Sequence, residues 1–202
     1  MKTDNQLLPV VNIIDDDLAL LQMMQDLISS LDVTVRTFPS APQFLDGYHR
    51  SQVECLICDI RMPEMSGMEL QNLLNERRLD IPLIFISGFA EVEVAVTAMK
   101  HGAFDFLEKP FSKQMLLDKI HAALQASRKR LLCQQQTQTR QARLDLLSAR
   151  ERQVVNMVVE GKTSKEIAGT LQVTIRTIES HRTHIYEKLH VNTSVELLKL
   201  FL

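Results

Sequence analysis

Asp15, Asp16 and Asp17 stand in a row behind the apolar run VNII. A further aspartate, Asp59, follows CLIC, Ser87 follows LIFI, and Lys109 follows FDFLE just ahead of Pro110. Carboxylates, a hydroxyl and an ammonium brought to one place would hold a hard cation and a phosphoryl group. An aspartate accepts a phosphoryl group only when its charge repulsion with the donor is cancelled. Mg²⁺ does this through one or two carboxylates, keeping several waters and bridging phosphate oxygens. Asp16 and Asp59 are the candidate direct ligands, with Asp15 holding a metal-bound water. Lys109 offers a second, fixed positive charge and Ser87 a hydrogen-bond donor. Catalysis of this kind is positioning plus electrostatic stabilisation. Asp59 is the candidate nucleophile, because it ends its run alone ahead of the loop IRMPEMSG. Taken singly, each residue has a plainer use: a helix cap, a surface lysine, a Ser-Gly turn. Their joint placement carries the reading.

That placement requires the four runs to be strands of one sheet, because open parallel sheets bind ligands outside the carboxyl ends of their strands. The first half of the chain alternates accordingly. Strands at Val10–Ile14, Val33–Phe38, Cys55–Cys58, Leu83–Ile86 and Phe104–Leu107 are each followed by a helical pattern: Leu18–Ser30, Ser40–Tyr48, Gly67–Arg77, Glu91–His101, and one beginning after Ser112. Near-continuous apolar strands indicate a parallel sheet covered by helices on both faces. The expected fold is an α/β, flavodoxin-like, five-stranded doubly wound domain over residues 1–124. Cys55 and Cys58 lie three apart on one strand and so point to opposite faces, which makes them packing residues rather than a metal pair.

Charge separates the halves. Residues 1–124 carry 10 Lys+Arg against 18 Asp+Glu, whereas residues 125–202 carry 13 against 7, so an acidic half precedes a basic one. A basic half points to a nucleic-acid partner. No run approaches transmembrane length, and Met1–Asp4 lacks a secretory leader's apolar region. Three cysteines without a framework fit a reducing cytosol. Residues 125–143, rich in Gln and Arg and free of Gly and Pro, read as a helical or mobile linker. Leu117, Leu124 and Leu131 form a seven-residue stripe, too short to claim a coiled coil. From Leu144 to Leu202 the pattern is all helical. Ser148-x-x-Glu151 and Thr163-x-x-Glu166 are capping boxes, Thr174 caps a third helix, and Thr193 or Ser194 opens a fourth. On the third helix, Ile178, Ile185 and Leu189 line one side, while Arg176, Glu179, Ser180, Thr183 and Glu187 line the other. That polar side suits base-edge and phosphate contact. Glu179 has two open roles, accepting from a cytosine amino group or standing solvated. Arg182, at the core edge, either meets a phosphate or snorkels.

With these motifs on the page, residues 8–124 resemble a two-component response-regulator receiver domain, through IIDDD, CDIRMPEMSG, FISG and FLEKPF. The resemblance implies that Asp59 is the phosphoacceptor and that Asp15 and Asp16 are the metal-binding acidic pair. It implies Ser87 as the switch hydroxyl, Lys109 as the phosphate-binding lysine with a cis bond to Pro110, and Phe106 as the switch aromatic. The Arg61 backbone carbonyl joins Asp15, Asp16 and Asp59 around Mg²⁺ or Mn²⁺. Residues 144–202 resemble the NarL/FixJ/LuxR-type helix-turn-helix, through LSARERQVVNMVVEGKTSKEIA and TIRTIESHRTHIYEKLHV. This implies Glu179, Ser180 and Thr183 facing bases, Thr163 and Lys165 meeting backbone phosphate, and the last helix serving as a dimer surface. Gln172 departs from the family, which commonly has Gly in that turn. The order of parts is closest to the FixJ-type subgroup.

Together the resemblances imply a cytoplasmic transcriptional regulator rather than an enzyme. Its partners would be a sensor histidine kinase, double-stranded promoter DNA, a second copy of itself on phosphorylation, and RNA polymerase, with no membrane. Two rivals remain at this level. An aspartyl-phosphate hydrolase wants an acid/base Asp two residues after the nucleophile, where Arg61 stands. A receiver-linked adaptor that never binds DNA leaves the basic half unexplained.

Overall fold

The computed structural model describes residues 8–88 and 92–201, and the chain forms two compact units that divide between Leu132 and Cys133. Met1–Asp4, Glu91 and Leu202, which entered the sequence reading, lie outside the described residues.

In the first unit, β1 (Val10–Ile14), β2 (Thr34–Phe38), β3 (Glu54–Asp59), β4 (Leu83–Ser87) and β5 (Asp105–Glu108) form a parallel sheet in the order β2-β1-β3-β4-β5. The helices are α1 (Leu18–Ile28), α2 (Ala41–Gly47), α3 (Gly67–Glu76), α4 (Val92–Lys100) and α5 (Lys113–Asp145). Alternate residues of each strand feed opposite cores, as a pleated strand requires. Ile14, Leu56, Cys58 and Phe85 pack with Phe44, Leu70 and Leu74 on one face. On the other, Val11, Ile13, Cys55, Ile57 and Ile86 pack with Leu21, Met24, Ile28, Leu116 and Ile120. Cys55 and Cys58 therefore serve different cores, as their spacing requires.

Caps start the helices where the sequence places short polar side chains. The Asp17 carboxylate accepts from the Ala19 and Leu20 amides, and Ser66 with Glu69 forms a full capping box on α3. Gly102, at φ 92°, ends α4 in the left-handed conformation that glycine adopts without a Cβ penalty. Residues 125–143 are helical throughout as part of α5, and the division between units falls inside that stretch. Good helix formers and the absence of Gly or Pro account for the continuity.

The second unit packs α6 (Ala149–Val159), α7 (Ser164–Leu171), α8 (Ile175–Leu189) and α9 (Ser194–Phe201) around Val154, Val155, Ile167, Ile178, Ile185 and Leu197. Both capping boxes form as the sequence indicates, and Thr174 caps α8. Glu151 is buried and accepts from Lys188 at 2.7 Å, tying α6 to α8. Among the described residues no helix is long and apolar enough to cross a membrane.

Gln172 ends α7 at φ 53°, ψ 46°, the left-handed conformation that a side chain disfavours. Gln172→Gly removes that strain, while the freer unfolded glycine offsets part of the gain. The expected result is a net stabilisation of the helical unit of about 0.5–1 kcal/mol, read as a shifted urea midpoint for its transition.

Candidate functional site

At the carboxyl edge of the sheet, the last residue of β3 meets the residues that follow β1 and β5. The Lys109 ammonium donates to Asp15 Oδ2 at 2.9 Å and to Asp59 Oδ1 at 2.5 Å. The remaining oxygens are also engaged: Asp15 Oδ1 accepts from the Asp17 amide at 2.9 Å, and Asp59 Oδ2 from the Arg61 amide at 2.7 Å. Asp15 is 1% exposed, Asp59 6% and Ser87 3%, so the cluster is nearly dry. Burial pushes the Asp15 carboxyl up from its ordinary value, against the pull of Lys109 and the Asp17 amide. Burial also opposes the Lys109 charge, but its hydrogen bonds to Asp59 and Asp15 hold its pKa above that of an ordinary lysine.

Ser87 reaches the cluster through the backbone, its carbonyl accepting from the Lys109 amide at 2.8 Å. The Lys109–Pro110 bond is cis, as the family resemblance implies. Asp16 is exposed beside the buried pair, Arg61 is exposed on the β3–α3 loop, and Phe106 lies half-buried against the core behind β5. Asp17, the third acidic residue of the row, is absorbed by capping α1. Among the described residues no three His, Cys, Asp or Glu side chains gather into a metal cage. The ammonium, not a third carboxylate, lies between Asp15 and Asp59.

Gly67 is a residue to which the sequence reading assigned no role. A Cβ there would stand 2.5 Å from the Asp59 carbonyl oxygen and 2.9 Å from the Phe85 ring. The first turn of α3 therefore approaches the end of β3 more closely than any side chain permits. The signal in the sequence is a glycine just after the Ser66 cap, where its own backbone needs no positive φ.

In the second unit, Thr163, Lys165, Arg176, Glu179, Ser180 and Thr183 are all exposed on α8, on α7 or at its cap. Two of their hydroxyls already have local partners: Thr163 Oγ1 bonds Glu166, and Thr183 Oγ1 donates to the Glu179 carbonyl. Arg182 is set apart from this group. It is half-buried, donates to Ser164 Oγ at 3.2 Å and to the Tyr186 hydroxyl at 2.8 Å, and lies over the Tyr186 ring. It thus bridges α7 to α8 rather than standing open with the others.

Residues 11–121 match the family described as response regulator receiver domain, and residues 145–201 the family described as bacterial regulatory proteins, luxR family. The chain is 38% identical over 188 residues to the transcriptional regulatory protein TdiR of Thauera aromatica, covering 93% of this chain and 83% of that one. It is 34% identical over 190 residues to the transcriptional regulatory protein FixJ of Bradyrhizobium diazoefficiens, covering 94% and 93%. Among solved structures, response regulator StyR superposes with a TM-score of 0.82 at 36% identity, covering 96% of this chain and 98% of that one.

Two outcomes follow from this geometry. Gly67→Ala forces α3 away from Asp59 and Phe85, an overpacking expected to cost about 1–3 kcal/mol, measured by urea unfolding of the first unit. In the second unit, burial opposes the Glu151 charge, but Lys188 and Ser148 hold its pKa down to about 2. A depressed carboxylate stabilises the fold above its unfolded pKa, near 4.5, and that stability drains away as pH falls toward 2. Lys188→Met is expected to flatten stability between those pH values. It should also lower stability at pH 7 by about 1–2 kcal/mol, discounted for the partly exposed lysine, as read by denaturation across the pH range.

Proposed function

We propose a phosphorylation-switched mode of action for this chain, which belongs to the two-component response regulators that join a receiver domain to a LuxR-type DNA-binding domain and regulate transcription. The observation that carries the proposal is the Lys109 ammonium held on both Asp15 and Asp59 in a nearly dry site. A carboxylate so placed is desolvated, aimed and partly neutralised, which is what an aspartyl nucleophile needs.

In this reading a partner histidine kinase presents a phosphohistidine. Asp59 Oδ attacks phosphorus, the P–N bond breaks, and the histidine nitrogen keeps the electron pair and later takes a proton. The product is an acyl phosphate on Asp59. Lys109 moves its charge from carboxylate to phosphoryl oxygen, and the Ser87 hydroxyl donates a hydrogen bond to another. The Asp15, Asp16 and Asp59 carboxylates with the Arg61 carbonyl are hard oxygen donors that fit Mg²⁺ or Mn²⁺, which when bound supplies the remaining charge neutralisation. The chain's chemistry is confined to its own phosphoryl transfer and autodephosphorylation, with no separate substrate turned over.

Drawing Ser87 toward the phosphoryl group leaves room behind it, into which Phe106 repacks. The surface of α4 and β5 then favours a dimer. Val92, Val96 and Met99 on α4 are already exposed apolar residues. Moving such an equilibrium from mostly off to mostly on needs roughly 5 kcal/mol of differential stabilisation. The dimer presents two copies of α8 to half-sites about 34 Å apart. Arg176, Glu179, Ser180 and Thr183 read bases, and Thr163 and Lys165 meet phosphate. Promoter-bound, the regulator meets RNA polymerase in the cytoplasm.

The test compares wild type with Asp59→Asn, treated with acetyl phosphate and Mg²⁺, for oligomeric mass and promoter-duplex binding. Wild type is expected to dimerise and to bind roughly tenfold tighter, a gain of about 1.4 kcal/mol, while Asp59→Asn does neither. Phosphorylation without a change in mass or binding would sink the coupling; phosphorylation of Asp59→Asn would sink the site.

A further inference from the structure

Val94, near the start of α4, packs partly buried against the receiver core, while among the described residues the side-chain hydrogen bonds from α3 gather at the helix's last turn. Of its nine residues only Ala98 is buried, and Val92 at its start is 75% exposed. Its last turn, by contrast, is gripped. The Gly102 and Ala103 amides close it onto the Met99 and Ala98 carbonyls at 3.1 and 3.0 Å. Two side-chain amides from α3 then reach across to the same turn: Gln71 Nε2 donates to the Ala98 carbonyl at 3.1 Å, and Asn75 Nδ2 to the His101 carbonyl at 3.0 Å. Gln71 and Asn75 are four apart, so they stand one above the other on one face of α3.

Gln71 is an expensive way to fill its position. It is 2% exposed, and its Oε1 is buried without a hydrogen-bond partner. A buried amide with half its capacity unmet costs more than an apolar side chain of the same shape. Packing therefore does not account for the amide; the bond to the Ala98 carbonyl does. That carbonyl, already bonded by the Ala103 amide, accepts twice, and so is fixed against both its own turn and α3.

We propose that Gln71 and Asn75 are positioning residues that make the last turn of α4 a fixed pivot. This inference rests on the phosphorylation switch proposed above. A pull that originates at Ser87 acts on the opposite end of α4, where Val94 packs partly buried against the core and, among the described residues, α3 makes no side-chain hydrogen bond. With the far end pinned, the helix swings about its last turn rather than sliding along the sheet, and its exposed apolar residues move by an amount that grows with distance from the pivot. A helix of this length is about 14 Å long, so a small rotation at the pivot moves the Val92 end by ångströms.

The test uses the full chain, wild type and the double variant Gln71→Met/Asn75→Ala, with and without acetyl phosphate and Mg²⁺. Intact mass reports phosphorylation, amide hydrogen exchange reports α4, and sedimentation reports dimerisation. In wild type, phosphorylation is expected to change exchange at the Val92 end while Met99–Ala103 stay protected. The double variant is expected to phosphorylate to the same extent and lose protection at Met99–Ala103. Its phosphorylation-linked gain in dimerisation should be weaker by roughly fivefold. Met removes the orphaned oxygen along with the donor, so loss of the fold is not expected; Gln71→Met alone is the fallback should the double variant unfold. Uniform exchange change along α4 in wild type, or undiminished coupling in the variant, overturns the pivot. Failure of wild type to phosphorylate, or to dimerise once phosphorylated, instead removes the switch on which the pivot acts and overturns both.

Discussion

One ammonium shared by two buried carboxylates is the constraint on which the receiver half depends. Asp15 and Asp59 end adjacent strands, so the parallel register brings like charges together at a nearly dry edge. Like charges brought this close call for a counter-charge, and burial pushes the Asp15 carboxyl up against the pull of the one it has. Lys109 supplies that charge from the end of the fifth strand, and its own amide ties it to Ser87 on the fourth. The strand order β2-β1-β3-β4-β5 is therefore more than a packing solution. It is the arrangement that lets one lysine reach both acids while its backbone amide bonds the Ser87 carbonyl. A buried ion pair is poor evidence of stability on its own, because desolvation consumes much of the Coulombic gain. On the proposed reading its value lies in being unfinished: the lysine would have a second partner in a phosphoryl group, and the exchange would cost little reorganisation.

The surrounding structure keeps that arrangement narrow. Gly67 lets α3 press its first turn onto the carbonyl of Asp59, and the Cys58 thiol donates to the same carbonyl from within the core. Phe85, fully buried, backs both. The backbone of Asp59 is thus fixed from below while its carboxylate meets Lys109. On the proposed reading, motion is left to the elements held most lightly, α4 above all, whose one buried side chain is an alanine.

Much of this was legible in the sequence, and the reasons differ by residue. The central strands β1, β3 and β4 announce themselves because both faces of each are covered and nearly every position in the run is apolar, whereas β2 and β5, at the edges, carry polar residues and read less plainly. Asp15, Asp59, Ser87 and Lys109 announce themselves because each ends such a run. The capping boxes at Ser148 and Thr163 are local chemistry and form as written. What the sequence could not display is contact across distance. That Lys109 grips both acids, that Gly67 is small for the sake of Asp59, and that Gln71 reaches Ala98 are facts of tertiary placement. Arg182 shows the same limit: its position on the helix suggests meeting a phosphate or snorkelling, and the bridge to Ser164 and Tyr186 is a contact that only tertiary placement displays.

The DNA-reading half solves a different physical problem with similar economy. A recognition helix must expose one side fully, so it has only the other by which to be held. In α8 that holding side is short, with Ile178, Ile185 and Leu189 buried. Polar contacts extend the grip around its flanks: Lys188 onto buried Glu151 of α6, and Arg182 onto Ser164 of α7. These two cations are engaged within the fold, and the basic excess of residues 125–202 does not act as a uniform coat. Part of it is structural mortar between helices. Arg176 and Lys165 are exposed on the open side instead, where a phosphate backbone would meet them. Counting charges suits this half to a polyanion; on the proposed reading, separating engaged cations from exposed ones points to the side carrying Arg176 and Lys165 as the one that would face it.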